Sequence, residues 1–132
     1  MINLDDVANW KVLLVEDDPD NVALAEQILA FYGAKVFTAK NGVQGLALLE
    51  TMTPTVILLD LSMPHMDGWE MAKKIRANSA IAHLPVIAVT AYAMQEDRER
   101  ALANGFDGYI VKPYAIRTFI PEIQAWLAKS KS

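Results

Sequence analysis

Acidic, hydroxyl and amino side chains follow short apolar runs at several points in this sequence. Four runs of this kind end on the residues Glu16 and Asp17, Asp60, Thr90, and Lys112. Apolar runs of this length are typical of strands that are buried on both faces of a parallel sheet. Because the carboxyl ends of parallel strands lie along one edge, where α/β proteins bind their ligands, we expect these side chains to converge there.

The predicted cluster carries an excess of negative charge. Two carboxylates about 5 Å apart repel each other by roughly 3 kcal/mol at an effective dielectric constant of about 20. A site that contains Glu16, Asp17 and Asp60 therefore favours a bound cation. Oxygen ligands suit a hard ion, and an open site with few carboxylates suits Mg²⁺ better than Ca²⁺.

A carboxylate beside Mg²⁺, an ammonium group and a hydroxyl has the parts that hold a transferring phosphoryl group. Since Asp can act as a nucleophile and form an aspartyl phosphate, we predict that Asp60 is the phosphoacceptor. Glu16 and Asp17 are the predicted metal ligands, and Thr90 and Lys112 are predicted to contact the phosphate oxygens. Any one of these residues alone fits a capping or solvated role equally well, but their joint placement favours the phosphate site.

The elements that must position this cluster alternate between strand and helix. Strands are predicted at 11–15, 34–38, 56–59, 86–89 and 108–111. Helices are predicted at 19–32, 42–52, 68–78, 94–104 and from 119 onward, with Asp18, Asp67 and Thr118 as N-caps and with Gly33 and Gly105 after two of the C-termini. This alternation predicts an α/β protein of the flavodoxin-like (βα)5 class, doubly wound, with a five-stranded parallel sheet of order 2-1-3-4-5 and helices on both faces.

The composition predicts one globular domain. Hydrophobic residues make up 53% of the 132 residues and charged residues 21%, which excludes a disordered chain. Without an internal repeat or a linker-like stretch, the sequence divides into an N-terminal arm at 1–10, a domain at 11–129 and a C-terminal tail at 130–132.

Charge and hydropathy also restrict the partners that we expect. A net charge of −4 without a basic cluster gives no electrostatic reason to bind nucleic acid. No apolar run is long enough to span a bilayer and the N-terminus lacks the pattern of a signal peptide, so we expect a cytoplasmic protein that does not insert into a membrane. The absence of cysteine fits a reducing compartment.

Four motifs resemble those of the receiver domains of response regulators in two-component signalling. They are Val-Glu-Asp-Asp at 15–18, Leu-Leu-Asp-Leu-Ser-Met-Pro-His-Met-Asp-Gly at 58–68, Val-Thr-Ala at 89–91 and Tyr-Ile-Val-Lys-Pro at 109–113. The resemblance covers about residues 11–128. It implies that Asp60 accepts a phosphoryl group from the phosphohistidine of a sensor histidine kinase or of a histidine phosphotransfer protein.

The resemblance also implies roles for residues around Asp60. The backbone carbonyl of Ser62 would complete the Mg²⁺ site, and Thr90 and Tyr109 would form a switch pair in which the hydroxyl moves toward the phosphate and the ring turns inward. Glu16 stands where many family members have Asp, and the peptide bond before Pro113 is usually cis in the family.

Several other residues have two interpretations. By resemblance, Ser62 and Tyr92 flank the path of the hydrolytic water, and we expect Tyr92→Ala to change autodephosphorylation. Val22 and Phe31 are apolar residues left over on the first helix, either as a docking surface for a phosphodonor helix or as singly exposed side chains. Surface or packing roles are expected for the remaining His and Trp residues, which are His65, His83, Trp10, Trp69 and Trp126.

We therefore expect a phosphorylation-dependent switch that acts through a downstream protein partner, as a monomer or weak dimer. It would not be an enzyme beyond catalysing its own phosphorylation and dephosphorylation. The alternative is a receiver-like scaffold that is never phosphorylated. Three enzyme classes are disfavoured: the acids 16–18 would repel a flavin phosphate, no P-loop motif is present, and Asp60 lacks the second Asp, two residues on, that Asp-nucleophile phosphatases use.

Overall fold

The computed structural model describes residues 4–61, 67–91, 94–112 and 114–130. Within these residues, a 3-10 helix at Leu4–Asn9 precedes five strands and five α-helices that alternate. The strands are β1 (Lys11–Val15), β2 (Lys35–Ala39), β3 (Val56–Asp60), β4 (Val86–Thr90) and β5 (Gly108–Val111). The helices are α1 (Pro19–Phe31), α2 (Gly42–Leu48), α3 (Gly68–Ala77), α4 (Gln95–Ala103) and α5 (Phe119–Ser130).

All five strands are parallel and lie in the order β2-β1-β3-β4-β5. Successive side chains of β1 point into two apolar layers: Val12 and Leu14 into the layer that contains α1 and α5, Leu13 and Val15 into the layer that contains α3 and α4. The predicted fold class and strand order are confirmed. Because fully burying one aliphatic side chain contributes about 1.5–3 kcal/mol, these two layers hold the strand ends firmly in register.

The ends of the helices follow the local sequence. Asp18 caps α1 by accepting from the N–H of Asp20 at 2.9 Å, and Asp67 caps α3 by accepting from the N–H of Glu70 at 2.9 Å. Gly33, just past the end of α1, has a φ of 92°, a conformation in which a side chain would be strained. The cap of α1, Asp18, directly follows the two acids Glu16 and Asp17 that come after β1.

Helix α2 ends at Leu48, four residues earlier than predicted. Beyond it the N–H groups of Glu50 and Thr51 donate to carbonyls three residues back, and the Thr51 hydroxyl donates to the Leu48 carbonyl at 3.2 Å. These bonds tighten the chain into turns, so the helix does not continue.

The segment that precedes β1 packs on the core. Val7 is fully buried and Trp10 is 6% exposed. The Trp10 carbonyl accepts from the N–H of Lys35 at 3.0 Å, which ties this segment to the start of β2. Residues 7–10 of the predicted N-terminal arm therefore pack on the domain.

Candidate functional site

The carboxyl edge of the sheet brings three acids together. Because Val15 pairs with Leu59, the next residues, Glu16 and Asp60, lie side by side. One carboxylate oxygen from each of Glu16, Asp17 and Asp60 lies within 4.8 Å of the other two. Glu16 and Asp60 are only 1% and 4% exposed, whereas Asp17 is exposed. The acid cluster, as we call these three residues, is thus buried on one side and open on the other.

The ammonium group of Lys112 lies against the acid cluster. Its Nζ is 2.9 Å from Glu16 Oε1 and 3.3 Å from Asp60 Oδ2. The backbone positions it, since the N–H of Lys112 donates to the Thr90 carbonyl at 2.7 Å. Burial lowers the pKa of Lys112, but the Glu16 and Asp60 carboxylates outweigh burial and raise it above its ordinary value. Lys112 therefore stays charged at neutral pH.

The acid cluster and Lys112 together carry a formal charge of −2 when all groups are ionised, because three negative charges face one positive charge. Burial and then the hydrogen bond with Asp60 raise the pKa of Glu16 to about 7, although Lys112 opposes this. The protein alone thus leaves its buried carboxylates short of positive charge. A divalent cation would supply the charge that is missing.

The oxygen donors of the acid cluster fit Mg²⁺. Ligands of an octahedral Mg²⁺, each about 2.1 Å from the ion, stand about 3 to 4 Å apart. The carboxylate oxygens, already within 4.8 Å of one another, need only small shifts to reach that spacing. Glu16, Asp17 and Asp60 would hold the ion, directly or through water. Ser62, whose carbonyl is the other predicted ligand, lies outside the described residues.

Gly68 supports Asp60 from behind. At the first residue of α3, a Cβ would collide with the carbonyl oxygen of Asp60 and would come within 2.8 Å of the Leu61 Cα. The Gly68 N–H donates to the Leu61 carbonyl at 3.2 Å. Only glycine allows the start of α3 to lie this close to the backbone that carries Asp60. The position of Asp60 therefore depends on this contact with Gly68.

A cavity of about 300 Å³ opens onto the acid cluster. It is lined by the three acids together with Asp18, Thr90, Ala91 and Lys112. Since one water occupies about 30 Å³ in the liquid, the cavity has room for an ion, its waters and a phosphoryl group.

Thr90 and Tyr109, the predicted switch pair, are both buried, with 2% and 4% of their surface exposed. Thr90 lies one residue beyond Val89, the residue that pairs with Asp60, and it lines the cavity. Tyr109 packs in the apolar layer that contains α3 and α4, and the guanidinium carbon of Arg98 lies 5.8 Å from the centre of the Tyr109 ring. Tyr109 thus holds the inward position in this structure.

Other predicted residues lie away from the cavity or outside the described residues. Three of them lie outside the described residues: His65, Tyr92 and Pro113. His83 is described and is exposed. Val22 is half-buried and packs against the core, so it is not a spare apolar residue, whereas Phe31 is 82% exposed.

Trp69 and Trp126 pack against their neighbours, as predicted. The Trp69 ring meets Phe106 edge to face with 5.6 Å between centroids. Trp126 donates from Nε1 to the Tyr109 carbonyl at 3.1 Å and covers Gly108, where a Cβ would collide with its ring.

Tyr114 lies beside the acid cluster although no sequence pattern indicated it. The residue is 5% exposed, and its ring packs 4.5 Å from that of Phe119. Burial and then the negative charges of Glu16 and Asp60 raise the pKa of Tyr114 above its ordinary value. The only signal in the sequence is its place two residues after Lys112.

Comparison with known proteins identifies the family to which this fold and this site belong. The family model described as the response regulator receiver domain matches residues 12–124. A relative from Brucella anthropi, the polar-differentiation response regulator DivK, is 35% identical over 116 residues, which cover 88% of this chain and 94% of the relative.

Two solved structures are also similar. The chemotaxis response regulator CheY4 of Vibrio cholerae superposes with a TM-score of 0.83 at 30% identity, covering 89% of this chain and 98% of the other. The receiver domain of a sensor histidine kinase from Pseudomonas aeruginosa, solved with a magnesium ion coordinated in its active-site cleft, has a TM-score of 0.81 at 34% identity and covers 90% and 98% of the two chains.

The chain belongs to the family of response regulator receiver domains, which act in two-component signalling. Among the residues that the structure describes, none forms a helix long and apolar enough to cross a membrane.

Proposed function

We propose that the protein is a signalling switch that accepts a phosphoryl group on Asp60 when Mg²⁺ is bound at the acid cluster. The observation that carries this proposal is the convergence of three carboxylates and one ammonium group in the lining of one cavity, with the buried Asp60 in contact with Lys112. Family membership and the Mg²⁺-bound neighbour support it.

The roles of the residues follow from their positions. An Asp60 carboxylate oxygen attacks the phosphorus of a phosphohistidine, the N–P bond breaks, and the imidazole leaves with the bonding electron pair. Lys112, already 3.3 Å from Asp60, binds a phosphoryl oxygen and holds the carboxylate in place. Glu16, Asp17 and the Ser62 carbonyl would hold Mg²⁺, which neutralises charge on the phosphoryl oxygens.

Phosphorylation would then act on the surface through Thr90 and Tyr109. Thr90 lines the cavity, so a phosphoryl group on Asp60 would offer its hydroxyl a new acceptor. A shift of Thr90 would change the space behind it and favour one position of the Tyr109 ring, which lies against Arg98 of α4. A change at Asp60 would in this way reach the outer face of α4 and β5.

The partners in this proposal are proteins. The donor is a sensor histidine kinase or a histidine phosphotransfer protein, and a downstream protein reads the state of the switch, with the chain cytoplasmic and a monomer or weak dimer. Autophosphorylation from small phosphodonors and autodephosphorylation are its only catalytic activities.

One experiment tests the proposal against the alternative of a scaffold that is never phosphorylated. The wild type, Asp60→Asn and the control Asp20→Asn are incubated with Mg²⁺ and acetyl phosphate and are analysed by intact mass. Asp20 is an exposed acid in the first turn of α1 that does not line the cavity. We expect one added phosphoryl group on the wild type and on Asp20→Asn, and none on Asp60→Asn.

A parallel titration with beryllofluoride in the presence of Mg²⁺ needs no covalent transfer. Failure of the wild type both to gain the phosphoryl mass and to bind beryllofluoride would leave the scaffold as the better description. Phosphorylation of Asp60→Asn to the wild-type level would move the acceptor to another residue.

A further inference from the structure

Two buried oxygen atoms at the acid cluster lack a hydrogen bond in the part of the chain that the structure describes: Glu16 Oε1 and the Tyr114 hydroxyl. Glu16 Oε1 does form an ion pair with Lys112 Nζ at 2.9 Å, and this is its one ion pair among the described residues. Buried polar atoms are almost always hydrogen-bonded, so two such atoms in one place require an explanation.

The two atoms have complementary chemistry, and the Glu16 side chain is among the groups that act directly on the Tyr114 hydroxyl. A carboxylate can only accept, and a phenol that keeps its proton can donate. A tyrosine hydroxyl, with an ordinary pKa of about 10, keeps its proton at neutral pH.

Tyr114 approaches the acid cluster from the core. Its ring belongs to the apolar layer that contains Phe119, with 4.5 Å between the two ring centroids, and it does not line the cavity. It is therefore placed to act on Glu16 and not on the phosphoryl group. The packed ring also limits the movement of the hydroxyl, which favours one direction for any hydrogen bond that it donates.

Glu16 needs such a partner. Its other oxygen, Oε2, accepts from the N–H of Asp18 at 3.3 Å, a long and weak contact. A Glu side chain has one more rotatable bond than Asp, so a Glu that binds a metal needs more support to keep its carboxylate in one direction. Partners of this kind, which orient a metal ligand, strongly affect metal affinity.

We infer that Tyr114 is a positioning residue of the Mg²⁺ site: when the ion is bound, its buried hydroxyl donates a hydrogen bond to the Glu16 carboxylate and directs the other carboxylate oxygen toward the ion. This inference rests on the proposed function, because it assumes that Mg²⁺ binds at the acid cluster. It adds a residue that the acid, Thr and Lys pattern does not contain.

The test is a calorimetric titration of phosphate-free protein with MgCl₂. Tyr114→Phe keeps the ring and its packing on Phe119 and removes only the hydroxyl, and Tyr32→Phe, a half-buried tyrosine at the end of α1, is the matched control. We expect Mg²⁺ to bind Tyr114→Phe roughly tenfold more weakly than the wild type, the lower end of the loss seen when a metal ligand loses its orienting partner. The control should bind like the wild type.

A double-mutant cycle separates positioning from a general effect on the fold. Glu16→Asp keeps a carboxylate at the metal but withdraws it from Tyr114, so adding Tyr114→Phe to that variant should leave the affinity unchanged within twofold. An equal loss in the Glu16→Asp background, or wild-type affinity in Tyr114→Phe, overturns the inference. A wild type that binds no Mg²⁺ contradicts the proposed function itself, so the two failures are distinguishable.

A measurement on the wild type covers the case in which Tyr114→Phe does not fold. The buried hydroxyl proton of Tyr114 should exchange slowly with water and be visible by proton NMR, and it should shift when Mg²⁺ is added. A hydroxyl resonance that does not respond to saturating Mg²⁺ also overturns the inference.

Discussion

The sheet carries a charged network at each of its two edges, and the two networks differ in balance. At the carboxyl edge, three acids face one Lys, and a cavity opens onto them. At the amino edge, Arg76 donates to the carbonyls of Ala82, Leu84 and Gly105 at 2.7 to 2.9 Å and to Asp107 Oδ2 at 2.8 Å. Asp107 in turn accepts from the N–H of Val86 at 2.9 Å.

The contrast separates structural charge from functional charge. The network of Arg76 and Asp107 sums to zero and ties the end of α3 to the starts of β4 and β5, so it needs nothing from outside. The acid cluster together with Lys112 has two negative charges in excess when all groups are ionised, and the pKa of its buried Glu16 carboxyl is raised to about 7 by burial and by Asp60. An unbalanced cluster is costly for the protein alone and indicates a ligand that completes it.

Removing the amino-edge network should give the largest loss of stability. Arg76→Ala removes the side-chain donor to three carbonyls and the ion-pair partner of Asp107, and we expect the free energy of unfolding to fall by about 2 to 3 kcal/mol, measured by urea denaturation. Because this edge is remote from Asp60, the folded variant should still accept a phosphoryl group. Arg117→Ala, at an exposed position, is the control. Loss of phosphorylation in folded Arg76→Ala would show that the two edges are not independent.

A backbone change at the carboxyl edge should affect stability and chemistry together. Gly68→Ala places a Cβ against the Asp60 carbonyl, and we expect it to cost about 1 to 3 kcal/mol, the usual range for overpacking, and to slow phosphorylation from acetyl phosphate. The measurement is a urea midpoint beside a phosphorylation rate. Gly33→Ala, strained at a φ of 92° but remote from Asp60, should lose stability with the rate unchanged. Equal rates in the two variants would argue against support of Asp60 by Gly68.

Addition of Mg²⁺ should stabilise the protein through the unbalanced edge only. At a free concentration about ten times the dissociation constant, a ligand that binds only the folded state adds roughly 1.4 kcal/mol. We therefore expect a higher thermal midpoint in MgCl₂ than in EDTA for the wild type and for Arg76→Lys alike. An unchanged midpoint at saturating Mg²⁺ would contradict the reading of the acid cluster as a cation site.

Removing one charge from the acid cluster should give the smallest effect. Asp60→Asn relieves the repulsion with Glu16 and leaves Lys112 its 2.9 Å partner, so we expect the metal-free protein to gain about 1 kcal/mol. Thermal unfolding in EDTA measures it, and Asp20→Asn is again the control. A metal-free variant less stable than the wild type would mean that Asp60 stabilises more through its contacts than it costs through its charge.

Much of the fold was predictable because its signals are local. Apolar runs of four or five residues, Gly33 and Gly105 after helices, and caps such as Asp18 and Asp67 are all determined by neighbours in the chain. The length of α2 was not predictable in this way. The Thr51 hydroxyl donates to the Leu48 carbonyl and so competes with the hydrogen bonds that would continue the helix. The burial of Val7 was missed because Leu4, Val7 and Trp10, spaced three residues apart, form a pattern too short to predict an element.

The sequence by itself determined the alternation of strand and helix, and with it the edge at which Glu16, Asp60, Thr90 and Lys112 had to meet, because all parallel strands end on the same side. Only the tertiary structure decided the contacts within that edge. Lys112 lies closer to Glu16 than to Asp60, and Tyr114 reaches the acid cluster from the core. These contacts join residues far apart in the chain, and side-chain packing, which leaves no trace in sequence periodicity, selects them.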